Sequence, residues 1–207
     1  GFIDDMVGSW RWRTERVGAL NGRRGFWVFL LSHRPFAPPS APRDKPLGVK
    51  SLHRPDLYTW SQFDPERNVD FHSLLWVRPE GNVVVDPLPL TEHDEKHLLE
   101  LGGAAWIVIT NSDHARASEA LRAKTGARVA GPAGERAAFP LECDRWLSDG
   151  ESLVPGLEII ALDGSKTPGE LALLLEGTTL ITGDLVRAHR ANSLMMLPLP
   201  KLSDPAA

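Results

Sequence analysis

One cysteine, Cys143, occurs in the 207 residues, which excludes an internal disulfide and fits a reducing compartment, so a cytoplasmic location is the expectation. There is no run of about 18 apolar residues, so no membrane-spanning helix is expected. The apolar patch at 26–31 is too short for a span and has no small-residue cleavage site behind it. The first 48 residues lack any sustained strand or helix period, and Pro35, Pro38, Pro39, Pro42 and Pro46 interrupt any element there. Residues 1–48 are therefore read as a basic leader rich in Pro, Trp and Arg, poorly ordered or non-native, ahead of a domain from 49 to 207. Charge divides at the same place, with +4 on the leader and −8 on the rest of a chain of net −4. A domain of that sign repels a nucleic-acid phosphate backbone, so no nucleic-acid partner is expected; with no membrane span either, the expected partner is a small-molecule substrate or ligand, or else a protein.

What is present suits one mixed domain: 42% of residues are apolar and 24% charged. The stretch 57–63 mixes aromatics with Ser and Thr and reads as an edge strand or a loop over the sheet. Residues 71–77 read as a strand, 78–82 as a turn, and Val83-Val84-Val85 as the returning strand, which ends at Asp86-Pro87. Asp86 is read as structural. Thr91-Glu92-His93-Asp94 is a capping box that opens a helix through about Leu101, closed by Gly102-Gly103. His93 and His97 stand four residues apart on it, a spacing able to hold a metal, but Asp94, Glu95 and Lys96 between them do not make a zinc-protease motif. A solvated polar face is the reading adopted.

The run 105–110 is continuously apolar, as in a strand buried on both faces. It feeds Asn111-Ser112-Asp113-His114, then a helical stretch at 115–124 with a stop at Gly126 and a short strand at 128–130. That order makes a βαβ unit with ionisable side chains in the loop at the strand's carboxyl end. Residues 144–151 read as a polar loop around Trp146, taken as a packed or rim aromatic. Residues 153–157 read as a strand and turn leading into 158–161, and Cys143 has no base partner and reads as a small buried side chain.

The rest of the chain is arranged around 162–187. Gly164 and Pro168-Gly169 punctuate its entrance, and 171–175 has the length of a buried strand. Glu176-Gly177 supplies a tight turn. Thr178 to Thr182 returns as a second strand and delivers Asp184 at its end, behind Gly183. A carboxylate placed there needs a cation, a metal or several hydrogen bonds.

Thr167-Pro168-Gly169 and Thr182-Gly183-Asp184, one on each side of this hairpin, resemble the second half of the metallo-β-lactamase fold. The resemblance begins near Val49 and is best matched from 105 to 187. It implies an α+β chain folded as an αββα sandwich, with hydrolysis of an ester, thioester, amide or phosphoester by metal-bound water. In that family a metal-binding His precedes Thr-Pro-Gly, where this chain has Lys166. The family signature Thr-His-x-His-x-Asp-His is here Thr110-Asn111-Ser112-Asp113-His114, and two alignments exist. Without a gap, Asn111, Asp113 and Arg116 stand where the three His are expected. With a two-residue deletion, Asp113-His114 is the Asp-His pair; this keeps the common spacing to Gly126 and is the reading adopted.

The resemblance then leaves Asp113, His114 and Asp184 as metal ligands for one zinc or other divalent ion at most. Asp113 holds the metal or orients its water, and Lys166 binds a developing anion. The alternative is a pocket without metal, in which Lys166 and Arg116 supply the positive charge, and the protein is an inactive binding module. In the family further helices, a strand and a late metal-binding His follow, so the sequence reads as incomplete at its C-terminal end, with an apolar face uncovered. His189, five residues after Asp184, is not carried over as that His.

Overall fold

The computed structural model describes residues 48–187 and 193–206, and the backbone of two short strands before them, β1 (Arg16–Val17) and β2 (Phe26–Val28). Apart from these strands, the reading of the leader lies outside the described residues, as does His189.

A seven-stranded sheet carries the domain. It comprises β3 (Lys50–Ser51), β4 (Leu57–Asp64), β5 (Val69–Trp76), β6 (Val83–Val85), β7 (Trp106–Val108), β8 (Arg128–Pro132) and β9 (Arg145–Leu147), in chain order. β3 to β6 run antiparallel, whereas β6 to β9 are mutually parallel. Parallel neighbours need crossovers: α1 (Glu92–Glu100) lies between β6 and β7, α2 (Ser118–Thr125) between β7 and β8, and a 3-10 segment, Ala133–Ala138, between β8 and β9. The Thr91 hydroxyl accepts from the Asp94 N–H and starts α1 as the capping box predicts; Gly126, at φ 70°, ends α2.

The second sheet holds β10 (Leu157–Leu162), β11 (Glu170–Leu175) and β12 (Thr179–Thr182), in the order β1-β2-β12-β11-β10. Glu176 and Gly177 both have positive φ between β11 and β12, the turn geometry that suits the twist of a tight hairpin. β13 (Val186–Arg187) and β14 (Met195–Met196) pair separately.

Side-chain alternation divides the interior in two. Trp76, Val83, Val85, Trp106 and Val108 face inward with Leu157, Ile159, Leu171, Leu173 and Leu175 of the second sheet, forming the core between the sheets. Leu75, Val84, Ile107 and Val129 point the other way, toward Leu98 of α1 and Leu121 of α2. Fully burying one Leu or Ile of this kind contributes roughly 1.5–3 kcal/mol. The layers are helix, sheet, sheet; among the described residues both α-helices lie on the seven-stranded side.

Three local expectations are corrected. Residues 57–64 form a full strand inside the sheet, not at its edge, because β3 pairs beyond it. The polar loop at 144–151 contains β9, which pairs with β8 because Leu147 is buried. The helix predicted from 115 starts at Ser118, after a 3-10 turn at Ser112–His114 and an Arg116 whose φ of 31° breaks continuity. Trp146 packs edge-on against Phe139, as a rim aromatic.

Candidate functional site

The parallel strands bring their carboxyl ends together, and the predicted loop residues sit there. Asp86 closes β6 with φ 49° and is buried. Its two oxygens accept from the Thr110 backbone N–H at 2.8 Å and the Thr110 hydroxyl at 2.6 Å, which ties the end of β6 to the end of β7. Beyond Thr110, Asn111 caps the short 3-10 turn by accepting from the Asp113 N–H at 3.1 Å. That turn aims His114 back at Asp86, with Nδ1 at 2.9 Å from the carboxylate. A carboxylate can only accept, so Nδ1–H donates to Asp86 and Nε2 is turned to the opposite side.

Nε2 faces Asp184, whose Oδ1 lies 3.6 Å away. At that distance the pair is an ion contact and not a good hydrogen bond. Burial disfavours a charged His114 ring, but Asp86 and then Asp184 outweigh burial and raise its pKa to about 9. Burial likewise raises Asp184, and His114, Arg187 and Lys166 more than reverse this, taking it to about 2. The carboxylate of Asp184 and the imidazolium of His114 are thus each held in the charged form by the other.

Glu170 fixes the loop that carries Asp184. It leads β11, is fully buried, and accepts from the backbone N–H groups of Asp184 and Leu185 through one oxygen and from the Ser165 hydroxyl through the other. Gly183 is required beside it: a β-carbon there would stand 2.9 Å from Glu170 Oε1 and 3.0 Å from Thr110 Oγ1.

Lys166 bonds Asp113 and reaches Asp184 Oδ2 at 3.9 Å. The Lys166 and Asp113 side chains are nearly half exposed, so their pairing contributes at most about 1 kcal/mol. Arg187 donates to the Asp184 carbonyl at 2.8 Å and places Nη2 3.8 Å from Oδ1. The Arg116 guanidinium lies 5.0 Å from the Phe71 ring centre. Burial lowers its pKa, and the fields of Asp86, Asp184 and Asp113 act against that.

All four predicted residues, Asp113, His114, Lys166 and Asp184, therefore belong to one chain of contacts, but protein groups already satisfy them. The three candidate ligands do not form a metal-binding set as they stand. Among the described residues no three His, Cys, Asp or Glu side chains are grouped for a metal. The donors present are one imidazole and two carboxylates, with an ammonium group against both carboxylates. A divalent ion about 4 Å from that ammonium would meet repulsion on the order of several kcal/mol at an effective dielectric of about 20. The residues do not fit a metal centre while Lys166 keeps its place.

Asp86, Thr110, Glu170 and Arg187 take part without having been singled out as site residues. A usable signal exists for Glu170, a charged residue at the head of an otherwise continuous apolar strand. A cleft of about 320 Å³ between α2 and the segment 140–142 includes none of these residues. Burial, and then the field of Asp144, push the Cys143 thiol pKa up to about 11, so it stays protonated at neutral pH.

No curated protein matches the sequence. Solved structures share its fold. A metallo-beta-lactamase family protein from Thermus thermophilus is 22% identical, with a TM-score of 0.54 over 65% of this chain and 61% of its own. A beta-lactamase domain protein from Burkholderia ambifaria is 16% identical, with a TM-score of 0.53 over 75% and 61%. A metallo-beta-lactamase from Hirschia baltica is 14% identical, with a TM-score of 0.55 over 69% and 73%. The chain thus spans about three fifths of the length of the first two. The sequence profile of the metallo-beta-lactamase superfamily matches residues 49–207, the stretch whose sandwich and hairpin are described above, and the chain belongs to that superfamily.

Proposed function

We propose that this protein is a metal-free member of its superfamily that binds a small acidic ligand, a carboxylate or a phosphate ester, at Lys166. One observation supports the reading above the others: the ammonium group of Lys166 engages Asp113 and approaches Asp184, two of the three side chains a metal would need. Asp113 then acts as an exchangeable counter-ion. An incoming anion replaces one half-exposed ion pair with another, so its binding is not opposed by the loss of a strong internal contact. Arg116 and Arg187 add positive charge beside Asp184, and the His114 imidazolium beneath is paired with Asp86.

Calorimetric titration with small carboxylates and phosphate esters at low salt tests this. Binding without added metal, abolished in Lys166→Ala and retained in a folded His114→Ala variant, is the expected result. Hydrolysis of an ester, thioester or amide that requires zinc or manganese and disappears in Asp184→Ala and His114→Ala would establish a single-metal hydrolase in its place.

A further inference from the structure

The two histidines of α1 fall outside the site just described. At i and i+4 they share one face of the helix. The structure adds a fact that the spacing alone does not contain: both rings converge on the backbone of Gly48, just before β3. A β-carbon on Gly48 would lie 2.8 Å from His97 Nδ1 and 3.2 Å from His93 Nε2. Two imidazole nitrogens from one helix face thus both lie close to a position that has no side chain. His97 is also steadied edge-on by Tyr58, with ring centres 6.3 Å apart, while His93 is exposed and free to adjust its rotamer.

We propose that His93 and His97 form a two-histidine site for a borderline transition-metal ion, separate from the Lys166 centre. Imidazole nitrogen is the donor that zinc, nickel and copper ions prefer, at about 2.0–2.1 Å for zinc. Both distances to the β-carbon position exceed such a bond, so an ion held there sits closer to His97 and is met by a rotation of the exposed His93 ring. No further His, Cys, Asp or Glu joins the pair in a group of three among the described residues, so water fills the remaining coordination positions. The Irving–Williams order then makes copper(II) the tightest ion, ahead of nickel and zinc. Gly48 is the specificity element: any side chain there would occupy the ion's place.

Titration of the full chain with copper(II), nickel(II) and zinc(II), followed by calorimetry and by the imidazole proton resonances, tests the proposal. Copper is expected to bind one equivalent and to broaden the ring resonances of His93 and His97 while those of His114 stay sharp. His93→Ala and His97→Ala should each weaken binding at least about tenfold, the effect of removing one of two donors. Gly48→Ala should do the same while leaving both ligands in place. Its β-carbon meets only atoms of the two imidazole rings and no backbone, so side-chain shifts relieve it and the fold is kept. Unchanged affinity in these three variants, or broadening centred on His114, would overturn the proposal.

Discussion

Replacing Glu170 gives the sharpest test of how the site is built. Its carboxylate is fully buried and satisfies three donors, the N–H groups of Asp184 and Leu185 and the hydroxyl of Ser165. Glu170→Ala leaves all three without an acceptor, and each unsatisfied buried group costs about 1–3 kcal/mol. With three neutral donors left unpaired, a total loss of about 3 kcal/mol or more is expected. In a chain of this length that lowers the melting temperature by on the order of 10 °C. Glu170→Gln keeps an acceptor for the two backbone donors and turns its amide toward a hydroxyl that can accept, so a loss of about 1 kcal/mol is expected. Urea unfolding of the two variants beside the parent measures both. An Ala variant within about 1 kcal/mol of the parent, or a Gln variant as damaged as the Ala variant, would refute the claim that this carboxylate holds the Asp184 loop.

Three further outcomes follow from the same contacts. Gly183→Ala should destabilise by about 1–3 kcal/mol through overpacking against Glu170 and Thr110, read from the same unfolding curves. Asp86→Asn removes the charge that does most to raise His114, so the ring should titrate well below 9 when followed by NMR; an unchanged value would assign the shift to Asp184 alone. His114 has a raised folded pKa, so its contribution to stability is fully present below about pH 6.5 and is lost as the pH rises toward 9. Asp184 has a lowered one, so its contribution is present above about pH 3.8 and is lost as the pH falls toward 2. Unfolding midpoints should therefore fall between pH 6.5 and 9 in the parent more steeply than in His114→Gln, and equal slopes would contradict the pairing.

The hairpin and the Thr-Gly-Asp end are legible in the sequence because their signals are local. An apolar run, a Glu-Gly turn and a β-branched return need no distant partner to be recognised. Period-2 alternation along 83–85 and 106–108 is hidden in the sequence, since both faces are apolar; only the packing shows that one face meets the second sheet and the other the helices. The break at Arg116 escapes a sequence reading because the composition of 115–117 is helical, and nothing local signals an arginine at φ 31° with its guanidinium over the Phe71 ring. Glu170 falls just outside the apolar run that marks its strand, and its burial depends on donors that arrive from 184 and 185, fourteen and fifteen residues later. Asp86 is expected to be structural, and its hydrogen bonds to Thr110 and His114 place that structural role directly under the site.

Whether Lys166 takes the place of a metal is decided by elemental mass spectrometry on the full chain carrying His93→Ala and His97→Ala. These two substitutions remove the helix site, so any remaining ion belongs to the Asp113, His114 and Asp184 centre. No stoichiometric zinc, iron or manganese is expected even after incubation with excess ions. One equivalent of metal, lost on adding Asp184→Ala, would contradict that expectation.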